Sequence, residues 1–123
     1  MTSKTILVVE DDRDLLQLIL EKLRHAGYTT LSAADGQEGL TIALEKHPDL
    51  ILLDVIMPRL DGIGMLKQLR QDAWGLGAQV MMLTNSQDVN HMADATGLGA
   101  HDYLIKSDWL TQDIIGKVAE RLR

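Results

Sequence analysis

The sequence predicts an α/β domain, a five-stranded parallel sheet with helices on both faces. Two observations carry that prediction. Ile6 to Val9, Leu50 to Leu53 and Val80 to Leu83 are short, continuous apolar runs, the pattern of strands buried on both faces. Around them apolar residues recur at helical spacing, so strand and helix alternate along the whole chain. That alternation implies right-handed crossovers and a parallel sheet covered on both sides. At 123 residues the chain, 1–123, is one domain, long enough for a real core and too short for two.

The elements follow in order. Ile6 to Val9 ends in Glu10, Asp11 and Asp12. Leu15, Leu16, Ile19, Leu20 and Leu23 then mark a helix that Gly27 closes. Tyr28 to Ala33 is a Thr-rich strand, and Asp35-Gly36 turns into a helix through Leu40, Ala43 and Leu44 that ends at His47-Pro48. Leu50 to Leu53 runs into Asp54, and a loop leads to a helix over 62–71 carrying Ile63, Leu66 and Leu69. Gly75 and Gly77 punctuate the connection to Val80–Leu83, which ends in Thr84. The helix over 88–96 is poorly specified, with Asn90, His91 and Thr96 inside it. His101 to Ile105 forms a short strand ending at Lys106. Ile114, Ile115, Val118, Ala119 and Leu122 stripe the last helix, with Thr111 as the expected N-cap and Leu110 with Ile115 as a hydrophobic staple.

Composition excludes several functions. A net charge of -6 argues against sequence-independent nucleic-acid binding, which needs clustered Lys and Arg. Without cysteine there is no disulfide framework, thiol nucleophile or thiolate metal site. The amino terminus has too short an apolar stretch for a signal peptide, and no run reaches membrane-spanning length. A cytoplasmic protein is expected.

The chemistry gathers at the carboxyl ends of the strands, where open parallel sheets bind ligands. The first strand offers Glu10, Asp11 and Asp12, the third Asp54, the fourth Thr84 and the fifth Lys106. In the flavodoxin-like order 2-1-3-4-5 the first and third strands are neighbours, so the acidic cluster faces Asp54 across the crevice. Crowded carboxylates raise each other's pKa. A hard divalent cation such as Mg²⁺, with Mn²⁺ as a substitute, relieves that repulsion. Cation, ammonium and hydroxyl together suit the oxygens of a phosphoryl group in transfer. Asp54 fits the remaining part, a carboxylate that forms an aspartyl-phosphate.

At this point a resemblance is plain over essentially the whole chain. The stretches Ile6-Leu-Val-Val-Glu-Asp-Asp12, Leu53-Asp54-Val-Ile-Met-Pro58 with Asp61-Gly62, Leu83-Thr84, and Gly99-Ala-His-Asp-Tyr-Leu-Ile-Lys106 are similar to those of the receiver domain of two-component response regulators, in a stand-alone, chemotaxis-regulator-like form. The resemblance implies a role for each matching position. Asp54 is the phospho-acceptor, Asp11 a direct metal ligand, Glu10 a ligand through water, and Ile56 a ligand through its backbone carbonyl. Thr84 is the switch hydroxyl, Tyr103 the aromatic that rotates with it, and Lys106 the partner of the phosphoryl group. Asp12 is expected only to start the first helix. The partners implied are a sensor histidine kinase or phosphotransfer protein and a downstream target, with no direct nucleic acid and no membrane. The state implied is a monomer or a phosphorylation-dependent dimer. The chain ends at Arg123, so a stand-alone regulator and a receiver cut from a larger one both remain open. It would act only on its own Asp54, not as an enzyme on other substrates.

Two departures matter. The family usually has Pro after the lysine, often in cis; here it is Ser107. A cis bond before a non-proline residue costs about 3–4 kcal/mol, so a trans Lys106-Ser107 bond is expected, and a clear cis peptide would overturn this. At Ile56, where smaller or polar residues are common, the family gates the water that hydrolyses the phosphoaspartate. An apolar residue there is expected to slow self-dephosphorylation.

Taken singly, each residue has an ordinary explanation. Asp11-Asp12 could serve a helix dipole, Asp54 could cap a loop, Lys106 could be solvated, Thr84 could reflect β-propensity, and Tyr103 could be a core-edge aromatic. Their joint placement on one sheet edge outweighs these. His25, His47, His91 and His101 show no metal-site spacing, the methionines are expected in the core, and Trp74 and Trp109 suggest no role. Three other functions compete. A haloacid-dehalogenase-like phosphatase needs Asp-x-Asp at the nucleophile, but Ile56 stands where its general acid would be. A flavin-binding protein needs aromatics and a Ser/Thr-rich phosphate loop. A pseudo-receiver should have a degraded acidic site, and this one is complete.

Overall fold

A computed structural model describes residues 3–55, 57, 59–84, 89–100, 102–105 and 114–122, with the backbone alone for 84, 89–92 and 102–105. In chain order the elements are β1 (Thr5–Val9), α1 (Arg13–His25), β2 (Thr29–Ala33), α2 (Gly36–Lys46), β3 (Leu50–Asp54), α3 (Gly62–Leu69), β4 (Val80–Thr84), α4 (Val89–Gly97), β5 (Asp102–Ile105) and α5 (Ile114–Arg121). The strands form one sheet in the order β2-β1-β3-β4-β5, every neighbouring pair parallel. The predicted fold class is the observed one.

The apolar runs are continuous because alternate residues serve opposite layers. Leu7, Val9, Ile51, Leu53, Val80 and Met82 join a core with Leu40 and Ala43 of α2, Ile63, Leu66 and Leu69 of α3, and Ala95 of α4. Ile6, Val8, Leu50, Leu52, Met81 and Leu83 join the other, with Leu16, Ile19, Leu20 and Leu23 of α1 and Ile114 and Val118 of α5. All five residues of β3 are buried, as expected for the central strand of a covered parallel sheet. Met57, Met65, Met81 and Met82 are core residues.

Caps set the helix ends. Asp12 accepts from the amides of Asp14 and Leu15, so its expected part in starting α1 is seen directly. Asp35 accepts from the Glu38 amide and Asp61 from the Gly64 amide. His47 ends α2 in the left-handed region, φ 49°, and its ring stacks on Trp74 with centroids 4.3 Å apart. Trp74, without a role in the sequence reading, covers the end of that helix.

One boundary needs correction. The helix predicted over 62–71 stops at Leu69. The Asp72 carboxylate takes the Gly75 amide at 2.8 Å and the chain enters a 3₁₀ turn, Gly75–Gly77. Arg70 fastens that connection: its guanidinium donates to the carbonyls of Gly75, Ala78 and Leu98, each at 2.7 Å. The expectations for Thr111, Leu110 and the Lys106-Ser107 bond lie outside the described residues.

Candidate functional site

Strand register brings the predicted residues to one edge. Val9 pairs with Leu53, so Glu10 follows beside Asp54. Asp54 pairs with Leu83, and Thr84 with Ile105. The carboxyl ends of β1, β3, β4 and β5 therefore lie side by side, with Thr84 as the last residue of β4 and Tyr103 within β5, opposite Met82. Lys106 and Ile56 lie outside the described residues.

Side chains at the β1 and β3 ends converge. One carboxylate oxygen from each of Glu10, Asp11 and Asp54 lies within 4.8 Å of the others. Glu10 is fully buried, Asp54 is 2% exposed and Asp11 is exposed. The Glu10 amide bonds to the Ala33 carbonyl at 3.0 Å, and its Oε2 accepts from the Asp12 amide at 3.1 Å. Those bonds turn the carboxyl inward toward Asp54.

Burial pushes the Glu10 carboxyl up to about 8 from its ordinary 4.5. A side-chain hydrogen bond and the charge of Asp54 push the same way, and the Asp12 amide opposes them. Without a counter-ion this corner keeps a proton at neutral pH. The donor set is all oxygen, carboxylate and compact, which suits a hard divalent ion and not a thiolate- or imidazole-seeking metal. The exposed Asp11 gives an ion a route from solvent.

The loop after Asp54 is held by contacts the sequence reading missed. Gly62 donates to the Val55 carbonyl at 2.9 Å, Gly36 donates to the Leu60 carbonyl at 3.0 Å, and Arg59 donates to Asp35 at 3.2 Å. In the sequence Asp35-Gly36 was legible only as a turn and Asp61-Gly62 only as part of the family resemblance and the start of a helix.

The comparisons decide the family. Residues 6–118 match the response regulator receiver domain. The chain belongs to that family. It is 41% identical over 104 residues to the alkaline phosphatase synthesis transcriptional regulatory protein PhoP of Bacillus subtilis, covering 85% of this chain and 42% of that protein. It is 36% identical over 118 residues to the DNA-binding response regulator MtrA of Mycobacterium tuberculosis, covering 96% and 50%. Among solved structures, Vibrio cholerae chemotaxis protein CheY4 superposes with a TM-score of 0.86 at 27% identity, covering 99% of this chain and 100% of that one.

This receiver domain spans about half the length of the curated relatives it matches. MtrA is named DNA-binding, so the expected exclusion of nucleic acid finds no support in these relatives. Among the described residues no helix is long and apolar enough to cross a membrane.

Proposed function

We propose that this receiver domain, a component of two-component signalling, accepts a phosphoryl group on Asp54 from a sensor histidine kinase or a phosphotransfer protein. One observation carries the reading: a buried carboxylate at the end of the central strand has its oxygen within 4.8 Å of two other carboxylates. An Asp54 oxygen attacks the phosphorus of a phosphohistidine, the P–O bond forms, the P–N bond breaks and the imidazole leaves. Water later cleaves the acyl phosphate, returning carboxylate and inorganic phosphate. The domain turns over nothing but its own Asp54.

Asp11 and Asp54, with the Ile56 carbonyl and Glu10 through water, would hold Mg²⁺ (or Mn²⁺). When bound, the ion neutralises the carboxylates and the phosphoryl oxygens. Glu10 stores a proton while the corner lacks a cation, and its inward carboxyl fixes the geometry of the acidic set. Lys106 pairs with the phosphoryl group and Thr84 moves toward it. Tyr103 follows, and the change is read on α4, β5 and α5. The poor helix formers of α4, Asn90, His91 and Thr96, suit an element drawn from the less stable end of the fold. The domain acts in the cytoplasm, as a monomer or a phosphorylation-dependent dimer.

The regulators of twice its length favour a second setting, in which the same switch governs an attached DNA-binding segment. The structural likeness to CheY4 over that protein's whole length favours an unattached one. Acetyl phosphate with Mg²⁺ should add one phosphate to the wild type, read by intact mass, and none to Asp54→Asn. Equal uptake by the variant would overturn the assignment.

A further inference from the structure

We propose that Asp35 and Gly36, at the start of α2, position the loop that follows Asp54; the inference rests on Asp54 being the acceptor. Val55, Met57, Arg59 and Leu60 lie between Asp54 and α3. The near end of this loop is tied to the sheet, Val55 donating to the Leu83 carbonyl at 3.1 Å. Its far end is tied to α2. Gly36 donates to the Leu60 carbonyl at 3.0 Å, and the Arg59 guanidinium donates to Asp35 Oδ2 at 3.2 Å. Asp35 Oδ1 at the same time accepts from the Glu38 amide at 2.8 Å, so one buried carboxylate fixes helix and loop together.

Two features show that α2, and not the loop's own preference, sets its place. A Cβ at Gly36 would lie 2.0 Å from the Leu60 oxygen, an approach only glycine permits. Arg59 sits at φ 67°, a left-handed conformation unfavourable to a residue with a Cβ and kept only where surroundings impose it. The constraint then passes inward. Gly62, two residues beyond Leu60, is so close to the acceptor's main chain that a Cβ on it would lie 2.0 Å from the Asp54 backbone carbonyl oxygen. A loop displaced at Leu60 must therefore shift against the Asp54 backbone. Neither Asp35 nor Gly36 touches the reacting atoms; both are positioning residues.

Gly36→Ala tests this beside Gly75→Ala, whose Cβ would lie 2.1 Å from the Leu69 oxygen. That control makes the same kind of collision in the connection entering β4, at the opposite sheet edge. Both are compared with the wild type using phosphoramidate at saturating Mg²⁺, at a temperature where circular dichroism shows each folded. Gly36→Ala should lower the saturating rate constant at least about tenfold with donor KM unchanged, since ångström-scale misplacement of a reacting group can cost about 100-fold. Gly75→Ala should stay close to wild type. In metal-free protein, amide exchange at Val55 and Gly62 should quicken in Gly36→Ala alone. Equal rate losses in the two variants, a loss confined to KM, or unchanged amide protection would overturn the proposal. Should Gly36→Ala not fold, Asp35→Asn preserves the N-cap while removing the charge that holds Arg59, and should show a smaller loss in the same rate constant. A wild type that takes no phosphate would sink the proposed function, while the exchange measurement would still decide the positioning role.

Discussion

Raising the pH should strengthen divalent-cation binding until Glu10 has lost its proton. The Glu10 carboxyl titrates at about 8 in the folded, metal-free chain, so at pH 7 roughly nine in ten molecules carry that proton. A cation entering among Glu10, Asp11 and Asp54 must displace it. Binding should release roughly 0.9 proton per ion at pH 7 and roughly 0.1 at pH 9. The apparent affinity should climb about tenfold per pH unit below 8 and level off above. Calorimetry in two buffers of different ionisation enthalpy reads the proton release directly. Glu10→Gln should release fewer protons per ion and show a shallower pH slope than the wild type. A pH-independent wild-type affinity, or a slope undiminished in the variant, would refute the reasoning. The same shift fixes the stability trend of the metal-free protein. A folded pKa above the unfolded 4.5 stabilises fully below 4.5 and is lost as pH rises through 8. Between those values the unfolding free energy should fall by at most about 1.4 kcal/mol per pH unit, and Glu10→Gln should flatten the fall.

Three other outcomes are expected. Arg70→Lys should destabilise by roughly 2–4 kcal/mol in urea unfolding, because one ammonium cannot replace a planar fork bonded to three carbonyls at 2.7 Å and to that of Leu76 at 3.4 Å; an unchanged midpoint would show the clamp to be idle. Ile56→Asn should speed loss of the phosphoryl group at least about threefold, on the family's water-gating role, with the half-life read by mass spectrometry at pH 7; on the same scale a barrier lowering of about 0.7 kcal/mol suffices, and decay no faster than wild type would refute it. Gly62→Ala, whose Cβ would meet the Asp54 backbone carbonyl oxygen at 2.0 Å, should lower both the melting temperature and phosphate uptake, and normal uptake would show that the acceptor strand yields easily.

Much of this molecule was legible in the sequence because its strongest signals are local. The apolar run into Asp54 identified a strand buried on both faces, and β3 is that strand. Parallel order then sent Glu10, Asp11 and Asp54 to one edge without knowledge of any side-chain angle. The misses are contacts between segments far apart in sequence. Nothing near Arg70 announces that its guanidinium will collect carbonyls from four later positions, and those bonds fasten the turn that follows a shortened α3. Asp35-Gly36 reads as a turn, and the clearance between Gly36 and Leu60 emerges only when α2 meets the loop from β3. Trp74 and His47 likewise meet only after folding. Ile56 rests on family likeness alone, and Lys106 on that likeness and on its place at the end of the fifth strand.

The most direct test locates the phosphoryl group. Wild-type protein treated with acetyl phosphate and Mg²⁺ is reduced with borohydride, which converts a phosphoaspartate to homoserine, and its peptides are sequenced by mass spectrometry. Homoserine should occupy position 54, and only when Mg²⁺ is present. Conversion at another residue, or equal conversion at Asp54 with the cation chelated, would contradict a buried acidic corner that needs a divalent ion to make Asp54 an acceptor.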